Sequence, residues 1–372
     1  MIFQHTLTGF SLMTPETDKN AVMNPLLSLI GTRLPLVQAP MAGSQGAALA
    51  VAVCNAGGLG SLPCAMLTPE SLAAELATIT AGTSAPYNVN FFCHQAPEPD
   101  AQREALWRSA LAPLYAEAGL DINAVPSGAG RAAFSHAMAD ALEPFRPPVV
   151  SFHFGLPAPD LLARVKGWGS VVLSSATTVA EGQWLEAHGA DVVIAQGVEA
   201  GGHRGMFLNE DITTQVGTFA LVPQLAAVLK VPVIAAGGIA DAAGVRAAMA
   251  LGASGVQVGT VYLCCAEATT SQVHRAALLS EASSHTALTR LFTGRPARGI
   301  VNRLMRELGP LNPAAPAFPL ATATIAPLRA HWEAQGRGDC SPLWAGQNTR
   351  GCRVAPAADI TLALSEGFAD LA

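Results

Sequence analysis

An α/β barrel of eight strand–helix units, with a small helical subdomain near the C-terminus, is the fold this chain predicts, and three observations carry the prediction. Short apolar runs, many rich in β-branched residues, alternate with longer segments whose apolar residues recur at helical spacing, the order of parallel strands joined by crossover helices. Several runs stop at glycine, as strands do where they feed the loops of a barrel mouth. The length of 372 residues suits a barrel of about 250 residues with an insertion or tail.

Strands are expected at 35–39, 59–62, 87–92, 149–154, 170–175, 192–196, 233–236 and 255–259, and helices at 47–55, 69–81, 101–118, 159–166, 179–188, 221–229 and 242–251. The third unit is overlong, with an extra helix at 131–142 before the fourth strand. Beyond Cys265 the pattern turns to Ala/Leu/Arg-rich helix, a Pro-rich stretch, another helix and a glycine-rich tail. The expected division is an N-terminal extension over 1–31, the barrel over 32–268, a helical subdomain over 269–335 leaning across the mouth, and a segment over 336–372 returning to it. Residues 1–22 are polar and unpatterned, and read as an extension or as sequence upstream of a start at Met23.

Composition excludes several function classes. Hydrophobic residues make up 50% and charged residues 13%, so much of the chain must be buried, and a net charge of −6 without a basic run argues against a nucleic-acid surface. No stretch approaches the roughly 20 apolar residues a membrane span needs, and no signal peptide is evident. Seven cysteines without a Cys-x-x-Cys read as reduced thiols of a cytoplasmic protein, with Cys264 and Cys265 packing beyond a barrel strand. The sequence leaves the oligomeric state open.

The chemistry concentrates in two places. The run at 192–196 opens into Gly197-Val-Glu-Ala-Gly-Gly-His-Arg-Gly, which sets His203 among glycines at a strand end. Glycines beside an imidazole allow close approach of a ligand, and histidine is the side chain suited to exchange a proton near neutral pH. His203 is therefore the candidate catalytic residue. The last two strands each end in glycine turns, where Gly237, Gly238, Gly259 and Thr260 offer unobstructed donors to a phosphate. Neither motif is a Walker A loop or a Rossmann fingerprint.

A family resemblance rests on these residues taken together. Gln38-Ala-Pro-Met-Ala-Gly, Asn55-Ala-Gly-Gly-Leu-Gly, Asn88-Val-Asn-Phe-Phe-Cys-His, Gln196-Gly-Val-Glu-Ala-Gly-Gly-His-Arg-Gly, Ala235-Ala-Gly-Gly-Ile-Ala, Val256-Gln-Val-Gly-Thr and Gln335-Gly-Arg-Gly-Asp followed by Leu343-Trp-Ala-Gly-Gln resemble the FMN-dependent nitronate monooxygenases, once called 2-nitropropane dioxygenases. The resemblance implies FMN in the barrel mouth, no metal, and oxidation of alkyl nitronates of the propionate 3-nitronate type by molecular oxygen to a carbonyl compound and nitrite. It implies that Ala39, Pro40, Met41 and Ala42 pass beside the flavin with main-chain atoms, that Asn90 donates its side-chain amide to the ring system, and that Gln196 lies beneath it. Gly237, Gly238, Gly259 and Thr260 would take the phosphate, Ala236, Gln257, Gly201 and Ser175 would add cofactor contacts, and Trp344, Gly346 and Gln347 would close over the cofactor. Ser175 is a departure, because some relatives carry lysine near the end of that strand.

Gly202 and His203 would face the substrate, joined by His94 and His153 at the ends of the third and fourth strands. A nitronate is already an electron-rich anion, so His203 is expected mainly to bind it, with α-proton abstraction from a neutral nitroalkane as an additional role. Glu199 is given a structural role, since a carboxylate would repel an anionic substrate. Arg295 and Arg298 either lend positive potential or brace the subdomain. The rival readings are an FMN-dependent enoyl-acyl-carrier-protein reductase using NAD(P)H, which shares the histidine loop, and a flavin-free barrel acting on a phosphorylated metabolite.

Overall fold

The computed structural model describes residues 24–98, 100–125 and 131–371. The stretch 1–22 expected as an extension lies outside them. The chain opens with α1 (Pro25–Ile30), capped by the Asn24 side chain at one end and the left-handed Gly31 at the other. There follow β1 (Leu36–Gln38), α2 (Ala47–Ala56), β2 (Gly60–Pro63), α3 (Pro69–Gly82), β3 (Tyr87–Phe92), α4 (Ala101–Ala118), α5 (His136–Leu142), β4 (Val149–His153), α6 (Pro159–Gly167), β5 (Val171–Ala176), α7 (Val179–Ala187) and β6 (Val192–Gln196). After a two-residue β7 (Gly202–His203) come α8 (Thr218–Val228), β8 (Val233–Ala236), α9 (Ala242–Ala250), β9 (Gly255–Val258), α10 (Gln272–Leu278), β10 (Thr286–Thr289), β11 (Ala297–Ile300), α11 (Arg303–Leu308), α12 (Ala321–Glu333) and α13 (Ala357–Ser365).

Eight parallel strands in the order β1-β9-β8-β6-β5-β4-β3-β2 make the expected barrel. β1 pairs with β9 in register Leu36↔Val256 and meets β2 through the single bridge Val37↔Leu59, which nearly closes the ring. Residues 25–30, assigned from sequence to the extension, instead form a helix whose Leu26 and Ile30 join Val37, Val149, Val192 and Ile234 in the barrel interior. Apolar side chains thus fill the lower barrel, and its polar upper end is left for the site. The helix ring follows from local signals: the Thr68–Ser71 capping box starts α3, and the Thr178 and Asp241 side chains cap α7 and α9. α13 packs on α2 and α9 and completes the ring, so only the first part of the C-terminal segment returns to the mouth.

Three expectations change. The extra helix expected over 131–142 is confined to α5, and residues before it run extended beside β3, where Phe92 and Ala133 form a parallel bridge. α4 leaves the ring: its Trp107, Leu111, Leu114 and Tyr115 pack with Leu291, Leu304, Ile325 and Trp332 of the subdomain. That subdomain also holds strands, because β10 and β11 add to β7 as a three-stranded antiparallel sheet over the barrel mouth. Cys264 and Cys265 are buried packing residues, as expected.

Candidate active site

The backbone of the histidine loop is fixed before its side chain does anything. Ala297 pairs with His203 and Arg298 with Gly202 across the β11–β7 ladder, and the Arg204 amide donates to Pro296 O at 2.8 Å. The His203 carbonyl accepts from Gln196 Nε2 at 2.9 Å and meets His153 Nε2 at 3.1 Å. Gln196 Oε1 in turn accepts from the Gly205 amide at 2.7 Å. A fully buried Arg204 locks the same loop from below, its Nη1 and Nη2 donating to Gly197 O at 2.7 Å and Gln196 O at 2.6 Å.

The glycines here are dictated by close approach. A Cβ on Gly205 would lie 2.9 Å from Ser175 Cβ, and one on Gly201 would lie 2.5 Å from the Gly346 amide nitrogen. Gly202 has φ +71°, a left-handed conformation that disfavours other residues. Together they let the returning segment settle on the loop and bring His203 into the mouth.

His203 stands in an aromatic chamber, its ring centroid 6.1 Å from Phe92, 6.1 Å from Phe154, 5.4 Å from Phe318 and 5.6 Å from Trp344. Burial, and then the positive surroundings of Arg131, His153, Arg295 and His94, hold its pKa well below the usual imidazole value. His153 is pushed down to about 4, chiefly by burial. The neutral imidazole of His203 meets Thr293 Oγ1 through Nε2 at 2.9 Å, while the Thr293 hydroxyl also faces Arg295 O at 3.5 Å. The tautomer that satisfies both contacts has Nε2–H donating to Thr293, which leaves a lone pair on Nδ1.

One cavity, about 1270 Å³ of empty space with its open mouth included, joins this chamber to the glycine turns. Ala39, Pro40, Met41, Ala42, Asn90, Ser175, Gln196, Gly201, Gly202 and His203 line it, as do Ala236, Gly237, Gly238, Gln257, Gly259, Thr260, Trp344 and Gly346, and His153 also borders it. Two expected residues stand apart from the lining. The Gln347 backbone N–H donates to Glu199 O at 2.9 Å, and it is the next residue, Asn348, that lines the cavity, its Nδ2 donating to Gly238 O at 3.0 Å. His94 packs edge-on against Phe318 at 4.8 Å, with Nδ1 buried and unpartnered.

The protein partners of the remaining polar side chains are well defined. Asn90, which the resemblance sets against a cofactor ring, donates through Nδ2 to Ser151 Oγ at 2.9 Å and Ser151 O at 3.3 Å. The Ser175 hydroxyl is held by His153 Nδ1 at 3.1 Å. Glu199 caps the start of α8, accepting from Thr218 N at 2.8 Å and Thr218 Oγ1 at 2.9 Å, which is the structural role expected of it. Arg298 braces the loop by donating to Val198 O at 2.8 Å and Thr286 Oγ1 at 3.2 Å, whereas Arg295 lies over the Phe154 ring at 4.1 Å.

At the other end of the cavity Gly237 and Gly238 have φ +117° and +74°. A Cβ on Gly237 would come within 3.0 Å of the Ala200 amide nitrogen, so only glycine fits this turn. Thr260 Oγ1 accepts from the Gly346 amide at 3.0 Å, which ties the returning segment to the turn after β9. Sequence reasoning missed Arg131, which lines the cavity, because its neighbourhood reads as helix; Asn348 follows the Trp-Ala-Gly-Gln motif and was within reach.

Comparison with known proteins gives one answer. A family model described as nitronate monooxygenase matches residues 23–367. The chain is 41% identical over 359 residues to a nitronate monooxygenase of Paraburkholderia phytofirmans, covering 95% of this chain and 96% of that one. It is 41% identical over 343 residues to a nitronate monooxygenase of Pseudomonas aeruginosa, covering 91% and 97%. Among solved structures it is similar to nitroalkane oxidase from Streptomyces ansochromogenes, with a TM-score of 0.84 at 38% identity over 93% of this chain and 98% of that one. FabK from Thermotoga maritima, at TM-score 0.70 and 24% identity over 93% and 96%, shares the fold. With a model match across almost all of its length and relatives at 41% identity over more than nine-tenths of it, the chain belongs to the nitronate monooxygenase family of oxidoreductases.

Proposed function

We propose that the protein binds FMN in this cavity and oxidises alkyl nitronates, propionate 3-nitronate among them, with molecular oxygen to a carbonyl compound and nitrite. The observation that carries the reading is a single cavity with a glycine-built anion cradle at one end and a neutral histidine in an aromatic chamber at the other. The residues fit the cofactor. The positive-φ turn at Gly237 and Gly238, and the turn at Gly259 and Thr260, leave backbone room for a phosphate, and the wall of Ala39 to Ala42 gives a flat apolar ring a surface to lie against. Bound there, a flavin supplies an electron acceptor for an electron-rich anion.

The protein's own part is positioning and charge. His203 takes an α-proton at Nδ1, and the N–H so formed then donates to the nitronate oxygens; Thr293 fixes its ring, and Gln196 and His153 fix its backbone. The aromatic wall keeps bulk water from the reacting carbon and strengthens the field of the nearby cations. The test is the purified protein's flavin content and its turnover. Oxygen uptake and nitrite release with propionate 3-nitronate, without NADPH oxidation, support the reading. Turnover of NADPH with an enoyl thioester and no nitronate activity would replace it with a reductase.

A further inference from the structure

Among the described residues, Arg131 is a cation without a counter-charge. It lines the cavity beside the histidine chamber, and its backbone is anchored to β3 through the neighbouring Phe92↔Ala133 bridge and the Phe134 amide donating to Phe92 O at 2.8 Å. Nη1 reaches Thr322 Oγ1 at 3.3 Å, while Nε is buried with no hydrogen-bond partner. Among the described residues no carboxylate forms an ion pair with it, and the charge that acts on it most is another cation, Arg329. Arg295, the other guanidinium of the chamber, differs: it lies on the Phe154 ring, donates to Met206 O and feels Glu210 and Glu181.

A partly desolvated guanidinium with open donors costs stability unless an anion meets it. The phosphate cradle is not that anion's place. β8 lies four positions from β3 in the eight-stranded order, so the glycine turn and Arg131 stand on opposite walls of the barrel. Arg131 and His203 line the same cavity, which puts both in one chamber. A small substrate whose reacting carbon lies at His203 therefore has Arg131 within the same space for a second, distal anionic group.

We propose that Arg131 recognises the carboxylate of the substrate and so selects nitronates bearing a distal acid over uncharged alkyl nitronates. The inference rests on the nitronate reading of this cavity. The planar fork of arginine matches a carboxylate with two parallel hydrogen bonds, and Thr322 holds the fork from behind.

The experiment compares propionate 3-nitronate with propyl-1-nitronate, which has a methyl group in place of the carboxylate, on the wild type, Arg131→Gln and Arg131→Lys, all as flavin-loaded proteins. Loss of a charge-assisted pair predicts a KM for propionate 3-nitronate raised about 10- to 100-fold in Arg131→Gln, with a KM for propyl-1-nitronate changed less than about threefold. Arg131→Lys, keeping the charge without the fork, shifts the same ratio in the same direction by less, and decides the matter if Arg131→Gln does not fold. Equal losses on both substrates, or none on either, would overturn the proposal. Thermal stabilisation by 3-nitropropionate relative to 1-nitropropane separates this inference from the functional one. If the wild type turns over no nitronate, the reaction assignment fails, yet stabilisation that depends on Arg131 still upholds carboxylate recognition, and stabilisation independent of Arg131 removes it.

Discussion

The imidazole of His203 is neutral at rest, and this sets its chemistry. Sequence reasoning favoured anion binding with the option of positive charge, but burial and surrounding cations hold the pKa well below 6.5. A base must be deprotonated, so activity on a neutral nitroalkane is expected to stay level from pH 8 down past 6.5 and to fall only at lower pH; an acid limb centred at 6.5 or above in kcat/KM would contradict the assignment. His203→Asn keeps one donor and loses the Nδ1 lone pair. Its rate on neutral nitroalkanes is expected to drop about 10²–10⁴-fold, with a much smaller loss on preformed nitronates. Equal loss on both forms would leave His203 a binding residue. Gly238→Val tests the other end: a Cβ there meets Glu199 Cβ at 3.6 Å, ordinary contact, so the penalty comes from φ +74° and from bulk over the cradle. Weaker FMN retention is expected, and full flavination with unchanged affinity would move the phosphate elsewhere.

At the scale of elements, the decisive arrangement is the small sheet β10-β11-β7. It takes a two-residue piece of the histidine loop and gives it ladder partners, so the site sits on sheet and not on free loop. Arg204 secures the junction between this sheet and β6. Its three donors reach Gln196 O, Gly197 O and Gln215 Oε1 at 2.8 Å or less. Arg204→Met keeps the stem but strands those acceptors, and is expected to cost about 2–5 kcal/mol. Urea unfolding measures it; a change below about 1 kcal/mol would show the loop holds without its guanidinium.

For the whole molecule, three histidines, His274 buried and His153 and His203 partly buried, link stability to acid. His153 and His274 are each pushed down to about 4, His274 while meeting Trp344 O at 2.9 Å, and His203 lies well below 6.5. In each case the unfolded chain binds the proton more readily than the folded one. Their contribution is therefore complete above about pH 6.5 and is lost as pH falls from there toward 4, at up to about 1.4 kcal/mol per pH unit for each group. The midpoint of thermal unfolding should fall over that window, and His274→Gln, which keeps a donor toward Trp344 O, should flatten the fall. An unchanged slope would mean that His274 does not titrate on unfolding.

The eight strands, their spacing and the glycine turns at their ends were legible because each is a local matter: a few β-branched residues, a stop at glycine, a helix cap. The same locality singled out His203 and the glycine turns at Gly237, Gly238, Gly259 and Thr260, which needed only a strand end and a glycine to be recognised. What the tertiary structure alone decided depends on partners far along the chain. Two residues carry no periodicity, so β7 exists only because β11 arrives beside it. α4 reads as a helix in the sequence, but which core receives Trp107 and Tyr115 is settled by the subdomain folded much later in the chain. Arg131 read as a helical residue, and it became part of the cavity because Ala133 pairs with Phe92 and draws the segment out along the barrel rim. The charge state of the histidines belongs to the same class, since burial and neighbouring cations exist only once distant segments have packed.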